Sequence, residues 1–191
     1  MKGVRVRWFL FAGMMLFASP ASALTIVSGN ITTDTTWTGD VYEITNDISV
    51  NSGATLTIHA GTIVKFDVGK RLSINNGATL NAEGTEDSPI YFTSIKDDSI
   101  GGDTNGDGDG TFPRYLDQWG INAYGTVSLA HVVLRYGFPE LSVSQGTTTV
   151  SHSVLTSTFT DIQQSGGTLF YRTAISTQGC SMSLICRMDQ K

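Results

Sequence analysis

The strongest constraint on this chain is that it repeats itself at a spacing of 21 to 24 residues. Ile48-Ser49-Val50-Asn51-Ser52-Gly53-Ala54-Thr55-Leu56 returns 24 residues later as Leu72-Ser73-Ile74-Asn75-Asn76-Gly77-Ala78-Thr79-Leu80. A Gly-Thr pair follows each copy, at Gly61-Thr62 and Gly84-Thr85, and then a β-rich run, Ile63-Val64-Lys65-Phe66 or Pro89-Ile90-Tyr91-Phe92. Further along, Gly125-Thr126, Gly146-Thr147 and Gly167-Thr168 stand 21 residues apart. Columns of like residues hang beneath them: Leu129, Val150 and Tyr171; Val133, Val154 and Ile175; Leu141 and Ile162; Phe138, Phe159 and Cys180.

Each unit holds strands of four or five residues broken by Gly, Asn, Ser or Asp. Thr55-Leu56-Thr57-Ile58 and Val127-Ser128-Leu129 alternate with the period of a strand, and helical periodicity is absent after residue 23. Strands this short bury no face alone, so equivalent strands must stack. One repeat per coil puts them about 4.8 Å apart in parallel ladders with the apolar columns inside. The expected fold is all-β: a right-handed parallel β-helix of about six coils over residues 24–175. A β-sandwich also has short strands, but it does not require columns of like residues. A leucine-rich repeat would need its L-x-x-L-x-L-x-x-N frame, which is missing. Asn51 and Asn75 share a column and are either an amide ladder at a corner or two ordinary turn residues.

The N-terminus speaks to compartment. Lys2, Arg5 and Arg7 precede an apolar run from Trp8 to Phe17, and Ala21-Ser22-Ala23 supplies small residues for cleavage. Residues 1–23 read as a secretory signal peptide, and the run is shorter than the roughly 20 residues of a membrane-spanning helix. The remainder is expected to be extracytoplasmic, secreted or at a cell surface, and not membrane-spanning once cleaved. All 17 Asp and Glu lie beyond residue 23, against nine of the 12 Lys and Arg. That acidic balance argues against nucleic acid as a partner. Cys180 and Cys186 can form one small disulfide after export but no disulfide framework.

The run G-A-T-L-T-I-H-A-G-T-I-V-K-F, then G-A-T-L-N-A-E-G-T and P-I-Y-F-T-S, resembles bacterial secreted right-handed β-helix repeat proteins of the pectin-lyase-like superfamily. Such sequences often continue with an Asp/Gly-rich insertion and a Trp-Gly-Ile strand, found here at residues 97–110 and 119–121. His59 stands where they usually carry Pro. The resemblance covers about residues 30–175 and implies the architecture more than an activity.

The insertion, residues 96–118, is too polar and Gly-dense for a strand and should project as a loop. Asp103-x-Asn105-x-Asp107-Gly108 matches the first half of a calcium loop, with Asp109 at the position that donates a backbone carbonyl. The twelfth position, where a Glu would close the shell, is Arg114, so Asp97, Asp98 or Asp117 must supply the missing carboxylate. Asp103, Asn105, Asp107 and Asp109 are therefore the expected ligands of a structural calcium ion.

Catalytic candidates are weak. Glu140 and Asp161 share a column, which places two carboxylates roughly 5 Å apart, near the separation used by retaining glycosidases. The resemblance implies hydrolases with carboxylates on adjacent coils, yet two acids on a solvent-facing turn is the reading favoured. It also implies lyases that pair calcium-binding acids with a basic residue. Arg135 is the obvious base, but its column continues as Thr156 and Thr177, and no Asp cluster shares its face. His131 and His152 stack above Thr173 and lack a third metal ligand, which favours a structural or surface role. The expected function is a structural or binding module, adhesin- or stalk-like and in contact with a polysaccharide or surface glycan; the alternative is a polysaccharide lyase or glycoside hydrolase. Residues 176–191 are expected to be an irregular tail, either an imperfect cap or the end of a shortened copy, with end-to-end association through an open coil as a consequence.

Overall fold

The computed structural model describes residues 23–156, 162–172, 175–176 and 181–182, the last two pairs as backbone only. The chain winds through three parallel sheets, adding one strand to each per coil. In chain order the strands are β1 Leu24–Val27, β2 Thr35–Trp37, β3 Val41–Ile44, β4 Ile48–Val50, β5 Thr55–His59, β6 Ile63–Phe66, β7 Arg71–Ile74, β8 Thr79–Glu83 and β9 Ile90–Ser94. After the insertion come β10 Gly120–Ala123, β11 Thr126–Ala130, β12 Val132–Arg135, β13 Leu141–Val143, β14 Thr147–Ser151, β15 Val154–Thr156, β16 Ile162–Gln164 and β17 Thr168–Arg172. Sheet A runs β1-β3-β6-β9-β12-β15, sheet B β4-β7-β10-β13-β16, and sheet C β2-β5-β8-β11-β14-β17. The fold is a right-handed parallel β-helix, as the repeat requires. Two further short strands, β18 Ile175–Ser176 and β19 Ser181–Met182, extend sheets A and B, so ladder pairing runs beyond residue 175. Phe159, Asp161, Cys180 and Cys186 lie outside the described residues, as do residues 1–22 and 183–191.

The columns are real vertical neighbours. Ile48 pairs with Leu72 and Val50 with Ile74. Leu129 pairs with Val150 and Val150 with Tyr171. Val133, Val154 and Ile175 follow one another in sheet A, and Leu141 stands beside Ile162. The alternation of each strand sends one set of side chains inward, where Leu56, Leu80, Leu129, Ile121 and Leu141 have no exposed surface. Aromatic stacking adds to the filling: Phe66 lies on Trp119 with ring centroids 4.5 Å apart. The amide ladder reading of Asn75 and Asn51 agrees with a bond from Nδ2 of the first to Oδ1 of the second, 3.4 Å long.

One alignment differs. Gly61-Thr62 and Gly84-Thr85 are not stacked, because the corner at Thr85–Ser88 holds extra residues in a turn and Ile63 pairs with Tyr91. At a tighter corner, a Cβ on Gly125 would run into the carbonyls of Asn75 and Ala78. Glycine is therefore required there by the approach of the coil below.

The outward set on sheet C forms two regular columns. Thr55, Thr79, Thr126, Thr147 and Thr168 are successive Cα partners. Beside them run Thr57, Asn81, Ser128, Thr149 and Phe170.

Candidate functional site

The insertion leaves sheet A after β9 and returns to sheet B at β10. Contrary to the expectation of a projecting loop, its first part lies on the outer face of sheet A. Gly101, at φ +71°, sits so close that a Cβ would be 3.2 Å from Val41 and 3.3 Å from Ile63. The Lys65 Nζ donates to the Gly102 carbonyl. Lys65 has no exposed surface, and burial pushes its ammonium below the ordinary value, against the pull of Asp97, Asp98 and Asp103. The apolar contact and the lysine together hold the loop down.

Two buried carboxylates fasten its ends. Asp97 accepts from the Arg135 guanidinium at 2.6 Å, from the Thr93 hydroxyl at 2.6 Å and from the Ser99 hydroxyl at 2.6 Å. Asp117 accepts from Lys96 at 2.7 Å, from the Ser94 hydroxyl at 2.6 Å and from the Arg114 amide at 3.1 Å. Both were candidates for completing a calcium shell, and both are instead committed to anchoring the insertion. The third candidate, Asp98, is where the geometry converges. One oxygen each of Asp98, Asp103 and Asp107 lies within 4.8 Å of the others. Burial and the negative charge of Asp103 raise the Asp98 carboxyl, with Lys65 opposing, and its Oδ1 is buried without a hydrogen-bond partner.

Within the loop, the two oxygens of Asp103 accept from the amides of Gly106 and Gly108, each at 2.8 Å. Asn105 turns its amide nitrogen to Asp107 at 3.0 Å, and Thr111 donates to the same carboxylate. Of the four expected ligands, Asp103 and Asp107 therefore come together, joined by Asp98; Asn105 touches Asp107 through its donor side, and Asp109 is exposed outside the group of three. The donor set is all hard oxygen on a Gly-dense loop, and these three carboxylates are the residues that could hold a hard cation.

Arg135 does not have the surroundings expected of it. Besides Asp97 and Ser99, which accepts from Nη2 at 2.9 Å, the guanidinium lies 5.5 Å from the Tyr91 ring and 5.6 Å from the Tyr136 ring. The insertion brings acids to its face, which the column reading excluded, because it is a different segment of chain that folds over the sheet. The guanidinium is thus engaged in an ion pair with the insertion. Glu140 is fully buried, not on a solvent-facing turn, and accepts from the Gly137 amide at 3.4 Å. Nearby, Arg71 donates to the Phe138 carbonyl at 3.0 Å. Asp161, the other half of that pair, falls outside the described residues. The rings of His131 and His152 stack 5.0 Å apart at 10°, both residues having left-handed backbones at φ +48° and +49°. Flat stacking at that distance does not converge two nitrogens on an ion bound at about 2.0–2.1 Å. Lys65 and the Asp97–Arg135 pair went unread, because a lysine at an outward strand position looks solvated until something is known to cover it.

A family model described as the pectate-lyase-like beta helix domain matches residues 29–106, from just after β1 into the insertion. The chain is similar to that domain over this stretch, and the same three sheets continue past it. No curated protein and no solved structure matched the chain. Among the described residues no helix is long and apolar enough to cross a membrane.

Proposed function

We propose that this protein is an extracytoplasmic binding scaffold, a rigid β-helical rod that contacts glycans without cleaving them and whose Asp-rich insertion is ordered by calcium. The observation that carries the reading is the state of the cationic side chains on sheet A. Arg135 is neutralised by Asp97, and Lys65 is sealed beneath Gly102. A lyase needs a base open to substrate, and a retaining hydrolase needs two accessible carboxylates. Export rests on the basic, apolar and A-x-A pattern of residues 1–23. Calcium rests on the Asp98, Asp103 and Asp107 group and on the Asp103-x-Asn105-x-Asp107-Gly108 spacing.

Two measurements test this. Incubation with a panel of acidic and neutral polysaccharides should release neither reducing ends nor unsaturated products; release by the wild-type chain, abolished in Arg135→Ala or Glu140→Gln, would establish the enzymatic alternative. Titration with calcium should show saturable heat and raise the melting temperature by several degrees, since a ligand that binds only the folded state stabilises it. Asp103→Ala should remove both effects, and a flat titration of the wild-type chain would remove calcium from the proposal.

A further inference from the structure

The outer face of sheet C has features that neither the insertion nor the fold explains. Two of its three outward columns carry no formal charge over five successive coils. The charged positions of these strands, Glu83 and Arg172, belong to the third outward column, with His59, Ala130 and Ser151, at the C-terminal ends of the strands. Among the described residues, no hydroxyl of the two columns bonds to another side chain or to the backbone. Sheet B differs, since Asn122 there bonds Ser73 at 3.3 Å. Thr126, Thr147 and Thr168 are exposed. The hydroxyls therefore form a two-dimensional array, about 4.8 Å apart along the axis and roughly 6.6 Å apart across each strand. The second column ends on Phe170, a ring 56% exposed.

We infer that this face docks on the flat surface of an ordered, neutral polysaccharide, a β-linked glucan or chitin-like aggregate. Three features select that partner. The two columns are uncharged while the chain as a whole is acidic, with 17 acids against 12 bases, so an anionic polymer such as polygalacturonate is repelled by the surroundings and meets only Arg172, at the margin of the face. The face is one continuous parallel sheet of half-exposed and exposed side chains, which suits many parallel chains presented side by side. A pyranose has an apolar C–H face and a hydroxyl rim, and the threonine methyls with Phe170 match the first while the free hydroxyls match the second. Rigid stacking fixes the array before contact, which lowers the ordering cost of a weak, repeated interaction.

The inference rests on the scaffold reading but fails separately from it. The full chain is sedimented with microcrystalline cellulose and with chitin, and its retention by soluble polygalacturonate is measured by affinity electrophoresis. Binding to a neutral insoluble polymer is expected, with polygalacturonate leaving mobility unchanged. Thr126→Arg/Thr147→Arg should weaken binding at least about ten-fold, the scale of loss when the centre of an interface is disrupted. Ser73→Arg/Ser142→Arg on sheet B should bind as the wild type does. Thr126→Val/Thr147→Val keeps shape and fold and should weaken binding by a smaller factor, which guards against misfolding of the arginine variant. No binding to either polymer, equal loss in the sheet B variant, or retention on ice crystals in place of the polysaccharides would overturn the assignment of this face. Product release in the earlier assay would overturn the scaffold reading instead.

Discussion

Individual side chains in this molecule are judged by the coil above and the coil below. Thr148 shows the consequence. Its strand alternation points it inward, between Val127 on one coil and Leu169 on the other, and its hydroxyl is buried without a partner. A hydroxyl so placed loses its water and gains nothing. Thr148→Val keeps the shape and is expected to stabilise the protein by about 1 kcal/mol, read from urea unfolding midpoints; destabilisation would mean that the hydroxyl is satisfied in solution. Glu43 makes the electrostatic counterpart. Burial, then the charge of Asp67, raises its carboxyl, with Lys65 opposing. A raised folded-state value means that the charged form is disfavoured by folding. Stability from this group is full below its unfolded value and is lost as pH rises through its folded value. Glu43→Gln should therefore raise the melting temperature at neutral pH, and the gain should disappear in acid, below the ordinary carboxylate range. A gain that is independent of pH would show that packing rather than charge is responsible.

At the scale of elements, the insertion is a clasp rather than a tether. It is held by Asp97 and Asp117 at its two ends and by Lys65 and the Gly101 contact between them. Asp97→Asn removes the charge that Arg135 meets and leaves a guanidinium largely enclosed. Breaking a buried pair costs about 3–5 kcal/mol when both groups are dry. The Arg135 side chain is 21% exposed, so a loss of about 2–3 kcal/mol is expected, discounted for that access to water. The insertion should also become cleavable by a protease between residues 98 and 112 before the strands unfold. If limited proteolysis of the variant is as slow as that of the wild type, the pair does not anchor the loop.

For the whole molecule, a solenoid has neighbours only along its axis. Stability then sums over coils and interfaces, and the interior coils have two interfaces where the terminal ones have one. Amide hydrogen exchange should be slowest in β8 and β11 and faster toward β1 and β17. Exchange that is uniform from end to end would show the rod opening as one unit.

The architecture was legible in the order of residues because a coil repeats itself. Leu129, Val150 and Tyr171 announce their stacking by spacing alone, and the like chemistry of each column is what lets an interior close without any long-range information. The candidate site was legible only in part. Asp103 and Asp107 stand together because a short Gly-rich loop brings near neighbours into one turn, and spacing carries that. Lys65 and Arg135 are another matter. Their partners, Gly102 and Asp97, come from a distant segment that meets them only once the insertion has settled on sheet A, so burial and charge pairing were decided by the tertiary structure. Local periodicity determines what repeats, and a single non-repeating excursion is placed by contacts that no period encodes.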